Sequence, residues 1–258
     1  TILELALALK ERKGAESIPG VCYIGDEIPA KTEHFEGPGI RLPDHSSVAE
    51  NKDEFSRMFQ IFYENADHVT GKRLFQLQDT RFLVQNPPQP PPSPRELDHI
   101  YELPFERMVH PRHEKEGRVK ALDTIGFSLT THRGCFGDCR FCAIAIHQGR
   151  HVVSRSRESI LREAKTFRSH PDFKGVISDV GGPTANMYGM GCDLKSKRGA
   201  RRNKTCLFPE VCGHLHVNHR LQIELLKSLQ RLEGVRKVFV GSGLRHDLIV
   251  ADKKTGIE

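Results

Sequence analysis

From residue 125 onward, three strand-length apolar runs alternate with two helix-period segments, and that alternation limits the fold more than any other feature of the chain. In TIGFSLTTHRGC, Ile125, Phe127 and Leu129 alternate with small or polar residues, the period of a strand. SRESILREAKTFRSHP opens on a serine cap, sets Ile160, Leu161, Ala164 and Phe167 on one helical face, and stops at Pro171. FKGVISDVGGP reads as a second strand running into a double glycine. HRLQIELLKSLQRLEGV reads as a second helix stopped by Gly234, and VRKVFVGSGLR as a third strand with its own glycine turn. This order is that of parallel βαβ units, whose ligands gather at the carboxyl ends of the strands. Each of those ends carries chemistry here: HRGC, DVGGPT and GSGLR.

The first half is less regular. TILELALALKERKGAESIPGV reads as a helix stopped by Gly14, and VCYIG as a short strand after it; a start at Thr1 is expected to be the tail of something larger. Residues 15–50 are rich in Gly, Pro and charge and read as irregular connection. Val48, Phe55, Met58, Phe59 and Phe62 fall at helical spacing, which predicts a core-facing amphipathic helix over residues 47–63. The tract QNPPQPPPSP, residues 85–94, must be extended and reads as a stiff linker. The expected organisation is therefore an N-terminal region over 1–84, a proline-rich and preparatory segment over 85–120, and the strand-helix half over 121–258.

With 258 residues and 37% hydrophobic content the chain can bury a real core. Its net charge of +6 admits an anionic partner such as RNA. Seven cysteines, an odd number, fit a secreted disulfide framework poorly and a reducing cytoplasm better. The opening apolar run spans nine positions with Glu4 inside it, so neither a signal peptide nor a membrane partner is expected.

Cys135, Cys139 and Cys142 lie in CFGDCRFC, a Cys-x3-Cys-x2-Cys loop that begins where the first strand ends. Thiolates at this density suit zinc or an iron-sulfur cluster, and three of them leave one coordination position open. A second set, Cys192, Cys206 and Cys212, flanks the run KSKRGARRNK and offers an auxiliary iron-sulfur or zinc site, with His214 or His216 as a fourth ligand; free structural thiols are the alternative. That run holds six Lys or Arg in residues 195–204 and reads as a flexible solvated loop with RNA as its candidate partner. Ser154, Arg155 and Arg157 precede a helix and are candidate anion contacts, while Cys22 reads as a buried small apolar residue.

The loop CFGDCRFC, with Phe141 before its last cysteine, resembles the cluster loop of the radical S-adenosylmethionine superfamily. HRGCFGDCRFC, GRHVVSRSRESI, FKGVISDVGGPTANMYGMGC, CLFPEVC and VRKVFVGSGLRHDL together resemble, in order and spacing, the YgiQ family of that superfamily. The resemblance implies a partial (β/α) TIM barrel, of which the first three βα units are present, behind an irregular and helical N-terminal region. It implies a 4Fe-4S cluster on Cys135, Cys139 and Cys142 whose open iron takes S-adenosylmethionine. By position it also assigns Phe141, Gly181, Gly182, Ser242 and Arg245 to the co-substrate, although Pro183 replaces the glutamate of the superfamily's Gly-Gly-Glu motif. An electron donor such as flavodoxin or ferredoxin is implied, as is an upstream cobalamin-binding domain of which residues 1 to about 30 are the tail. A chain ending halfway through the barrel is expected to be poorly soluble and weakly active. The competing expectation is a zinc-stapled, non-enzymatic nucleic-acid-binding module.

Overall fold

The computed structural model describes residues 1–28, 39–104, 106–201, 205–253 and 255. The chain divides into two compact units, one made of residues 1–91 with 194–203 and the other of residues 92–193 with 204–258. Part of the segment EIPAKTEHFEGPG lies outside the described residues, as does the end of the basic run.

The first unit contains α1 (Ile2–Lys10), β1 (Cys22–Gly25), β2 (Ile40–Arg41), α2 (His45–Glu50), α3 (Lys52–Glu64), β3 (Leu74–Gln78) and β4 (Arg81–Gln85). Its strands form one sheet in the order β1-β4-β3-β2, with β4 antiparallel to both neighbours and β2 parallel to β3. The region expected to be irregular and helical thus also holds a four-stranded sheet. In LFQLQ, Leu74, Phe75 and Gln76 are all buried, so both faces of β3 are covered at its start and the alternation of a half-buried strand is absent. Asp79 turns β3 into β4 at φ 56, a left-handed conformation that Asp accepts more readily than most residues. The carboxamide of buried Asn86 ties residues 16–18 to the end of the sheet by donating to the Glu16 and Ile18 carbonyls at 3.0 and 2.8 Å.

The helix expected over 47–63 is two helices. Asn51 sits between them in extended backbone, and its side chain caps α3 by accepting from the Asp53 amide at 2.8 Å. The apolar stripe is not a core face either: Phe55 and Phe59 are each 51% exposed.

The second unit contains α4 (Pro94–Glu102), α5 (Leu122–Ile125), β5 (Ser128–Thr130), β6 (His132–Arg133), α6 (Ile144–His147), β7 (Val153–Ser154), α7 (Arg157–Thr166), β8 (Val176–Ile177), β9 (Asp179–Gly181), α8 (Asp193–Arg198, shared with the first unit), α9 (Arg220–Gln230), β10 (Lys237–Val238) and α10 (His246–Ala251). Ile125 ends a short helix, so the first strand starts at Ser128, three residues later than its alternation suggested. β5 pairs in parallel with β9, and β10 in parallel with β8. The Ser178 amide donates to the Phe127 carbonyl at 3.1 Å, and the Val180 amide to the Phe239 carbonyl at 3.0 Å. Residues 176–181 therefore run as one ribbon between β5 and β10, a mixed α/β arrangement with the crossovers made by α7 and α9.

The core of this arrangement consists of Leu129, Ile160, Ala164, Phe167, Ile177, Val180, Tyr188, Leu225 and Leu229, all buried. Phe127 packs edge-on against Phe167 and Phe173, with ring centroids 5.5 and 5.0 Å apart. Burying each large side chain of such a set contributes about 1.5–3 kcal/mol. The core clamps the middle of the ribbon and so fixes where the strand ends, with their loops, emerge.

Candidate metal centre

Three strand ends meet at one place. After β5, Gly134 turns the chain at φ 82, and a Cβ there would lie 1.8 Å from the His151 carbonyl oxygen, so only glycine fits. The Cys135 amide donates to the Gly149 carbonyl at 3.2 Å, and the Cys142 amide to the Cys139 carbonyl at 2.9 Å, which closes the cysteine loop on itself. Asp138 adopts φ 49 between the first two cysteines.

Gly137 marks where the sulfurs converge. A Cβ on it would lie 3.2 Å from the Cys135 sulfur, 3.6 Å from the Cys139 sulfur and 3.8 Å from Nη1 of Arg245. Its own amide donates to the Cys135 sulfur at 3.3 Å. Cys135 is buried against Phe136, Met187, Met190, Leu207, Leu215 and Leu248, whereas Cys139 and Cys142 are half-buried. The ring of Phe141 is 94% exposed.

The second strand end lies beside the first. The Cys135 sulfur is 3.5 Å from the Thr184 hydroxyl, in the loop that Gly181 and Gly182 begin. Gly181 keeps its carbonyl on β5, accepting from the Thr131 amide at 2.7 Å and the Thr131 hydroxyl at 3.1 Å. Gly182 cannot carry a side chain: a Cβ would meet Cε1 and Nε2 of His132 at 2.6 Å. His132 is fully buried with Nδ1 2.8 Å from the Thr131 hydroxyl, while its Nε2 has no hydrogen-bond partner. Burial pushes its pKa down from 6.5 to about 4 against a smaller upward pull from the Thr184 backbone, so the ring is neutral.

The third strand end closes the group. Asp179, on β9, accepts from the Gly241 amide at 2.7 Å, the Ser242 amide at 3.2 Å and the Ser242 hydroxyl at 2.6 Å, so that hydroxyl is engaged within the protein. Arg245 sends Nη1 to the Cys139 sulfur at 3.4 Å, while Nε and Nη2 grip the two carboxylate oxygens of Asp247. Its pKa is raised, first by the Asp247 bond, with Cys139 and Cys135 adding to the pull. The Arg245 backbone is held on both sides by Asn186, whose Oδ1 accepts from the Arg245 amide at 2.8 Å and whose Nδ2 donates to the Arg245 carbonyl at 3.0 Å. Nδ2 of Asn186 is also 3.1 Å from Nε2 of His219, and Nδ1 of His219 is 2.7 Å from the Asp252 carboxylate. Burial works against ionisation of Asp252, but the Thr255 hydroxyl and the His219 amide and ring hold its carboxyl well below the usual range.

Asn186, Asp179, His132 and the pair His219–Asp252 were not singled out from the sequence. Asn186 lies inside the quoted stretch GGPTANMYGMGC and Asp179 just before the double glycine, so the first two were within reach of a closer reading. The partners of His219 come from segments too distant for spacing to connect them, whereas Asp247, two residues from Arg245, is within reach of the local sequence.

Other expected site residues fall differently. Arg155 is not an anion contact: it is fully buried, with Nη1 on the Glu163 carboxylate and the Thr130 carbonyl, Nη2 on the Ser159 hydroxyl, and its guanidinium 4.3 Å over the Tyr101 ring. The Ser154 hydroxyl accepts from the Gly189 amide at 2.9 Å, and Arg157 donates to the Ser228 hydroxyl at 2.6 Å. Cys22 is exposed on β1 rather than buried. In the basic run, residues 195–198 are helical and Lys195 is buried, whereas Lys197, Arg198 and Arg201 are exposed; residues 202–204 lie outside the described set.

The second cysteine set is gathered loosely. The Cys212 amide donates to the Cys206 carbonyl at 2.8 Å, the His216 amide to the Gly191 carbonyl at 2.9 Å, and Cys192 and Cys206 pack against the same apolar cluster as Cys135. His214 and His216 are exposed. Among the described residues, no three cysteine sulfurs lie within 4.8 Å of one another. One tetrahedral zinc ion bound at 2.3 Å would need its sulfurs about 3.8 Å apart. A cubane places each thiolate on a different iron and asks for a wider spread of sulfurs than a single ion does.

The family model described as Radical SAM N-terminal matches residues 1–128. A UPF0313 protein of Fusobacterium nucleatum is 48% identical over 256 residues, which is 99% of this chain and 44% of that protein. A UPF0313 protein of Thermotoga maritima is 46% identical over 92% of the chain and 41% of its own length. One from Methanosarcina acetivorans is 47% identical over 89% of the chain and 30% of its own length. The chain spans less than half the length of these relatives.

Proposed function

The chain belongs to the UPF0313 family, the YgiQ-type radical S-adenosylmethionine proteins, and from that premise we propose that it holds a 4Fe-4S cluster on Cys135, Cys139 and Cys142 and cleaves S-adenosylmethionine reductively. Such a cluster, when bound, supplies one electron to the sulfonium of the co-substrate, which yields methionine and a 5'-deoxyadenosyl radical able to take hydrogen from a substrate.

The protein's own residues do the placing. Cys135 anchors the buried corner of the site, and Cys139 and Cys142 complete it toward solvent. The loop that Gly181 and Gly182 begin runs beside the cysteine loop, with Thr184 on the Cys135 sulfur, and there the methionine end of the co-substrate would lie. Phe141, next to Cys142, is free to cover the bound molecule, and Ser242 and Arg245 supply the polar wall from β10. The ribbon of residues 176–181 between β5 and β10 is, in this reading, the opening part of a (β/α) barrel that the remaining length of the family completes. The electron comes from a small carrier such as flavodoxin or ferredoxin. The further length of the relatives is where cobalamin and the substrate would be bound.

The observation that carries the proposal is the convergence, beyond β5, β9 and β10, of two cysteine sulfurs, the Thr184 hydroxyl of the double-glycine loop and a guanidinium. The test is anaerobic iron-sulfur reconstitution of the full-length polypeptide, then dithionite reduction with S-adenosylmethionine and chromatography for 5'-deoxyadenosine. The wild type is expected to form it and Cys139→Ala to form none. Bound zinc with neither iron nor 5'-deoxyadenosine would overturn the proposal in favour of a zinc-stapled module.

A further inference from the structure

We propose that Arg245 is a positioning and tuning residue of the cluster. It donates a charge-assisted hydrogen bond to the Cys139 sulfur, raises the cluster's reduction potential, and is held there by the chain Asn186, His219 and Asp252. The inference rests on the cluster assignment above and adds to it a specific role for residues on three other segments.

The geometry has three parts. First, Nη1 of Arg245 points at the Cys139 sulfur from 3.4 Å, within the range for hydrogen bonds to sulfur, and it is the branch of the guanidinium that Asp247 leaves available. A hydrogen bond and a positive charge at a ligating sulfur stabilise the reduced, more negative cluster more than the oxidised one, which moves the potential upward. Second, Asp247 grips the other two nitrogens in a fork, so the guanidinium plane is fixed and part of its charge is offset. Third, the backbone of Arg245 is clamped at both its amide and its carbonyl by one side chain, Asn186, which is 2% exposed. Asn186 is itself oriented by His219, and His219 by the Asp252 carboxylate, which takes both the ring and the amide of His219 at 2.7 and 2.8 Å. An arginine on a loop would ordinarily sample many rotamers, and this one is fixed at both ends.

Opposite signs separate this role from simple structural damage. Arg245→Met removes the donor and the charge, and the midpoint potential should fall. Asp247→Asn keeps an acceptor for Arg245 but removes the offsetting negative charge, and the potential should rise. Asn186→Ala should shift it in the same direction as Arg245→Met, by less. The measurement is a redox titration of the reconstituted, full-length polypeptide followed by the electron paramagnetic resonance signal of the reduced cluster, with iron and sulfide content determined for each sample. Should Arg245→Met fail to hold a cluster, Arg245→Gln against Asp247→Asn makes the same comparison, since glutamine removes the charge while keeping a polar side chain, and the potential should again fall. A wild type that takes up no iron overturns the cluster assignment, and this inference with it. A loaded wild type whose variants share its potential, or all shift in one direction, overturns this inference alone.

Discussion

His132 shows how one side chain dictates its neighbours. Its ring fills the space beneath Gly182, which is why the second glycine of DVGGP admits no side chain. The double glycine was visible in the sequence, but its steric cause was not, because the ring that demands it arrives from a strand fifty residues earlier. The buried ring also makes a pH prediction. Its folded pKa, about 4, lies below the ordinary 6.5, so between those values the unfolded chain takes up a proton that the folded chain refuses. The contribution to stability is complete above about pH 6.5 and is lost as the pH falls toward 4, by up to about 3 kcal/mol. Urea unfolding of the metal-free protein at pH 7 and pH 5 should show this slope, and His132→Gln should flatten it; equal slopes would remove the assignment. The cysteine loop itself was legible residue by residue, because ligand spacing is local. The engagement of Ser242 by Asp179 was not, since the two residues are 63 positions apart.

At the scale of elements, the alternation of strands and helices from β5 to β10 was legible because α7 and α9 each keep a helical apolar period that ends at a proline or glycine, and α7 opens on the Ser156 cap. The hairpin of β3 and β4 escaped because its first strand is covered on both faces, and the Phe55 and Phe59 stripe misled because helical spacing says nothing about what lies opposite. Buried charge between elements was likewise hidden. Glu163 on α7 receives Arg155 from just before the same helix and Arg107 from the segment before β5, and all three are largely buried. Removing the shared carboxylate leaves two cations facing each other in the interior. Glu163→Gln should therefore destabilise the protein by about 3–5 kcal/mol, read as a lowered urea midpoint. Glu224→Gln, which loses only the exposed pair with Arg220, should change stability by under about 1 kcal/mol. Equal losses would show that the buried set does not hold α7 in place.

Over the whole molecule, a net charge of +6 and the exposed Lys197, Arg198 and Arg201 make an anionic partner the natural expectation, and no described helix is long and apolar enough to cross a membrane. RNA is the specific case to check. Binding of a single-stranded RNA to the full-length polypeptide should weaken as salt rises, with a log-log slope of about −0.7 per phosphate contacted, and reversing the charge of Arg198 should make the slope shallower. A flat salt dependence would remove RNA from the partners. The graded depth of the three cysteines has a further consequence, for durability. Cys135 lies beneath Phe136 and the methionines, while Cys139 and Cys142 stand nearer the surface. In the metal-free protein, thiol oxidation by air should then reach Cys139 and Cys142 before Cys135, which a mass spectrum of alkylated peptides would read as a fixed order of loss.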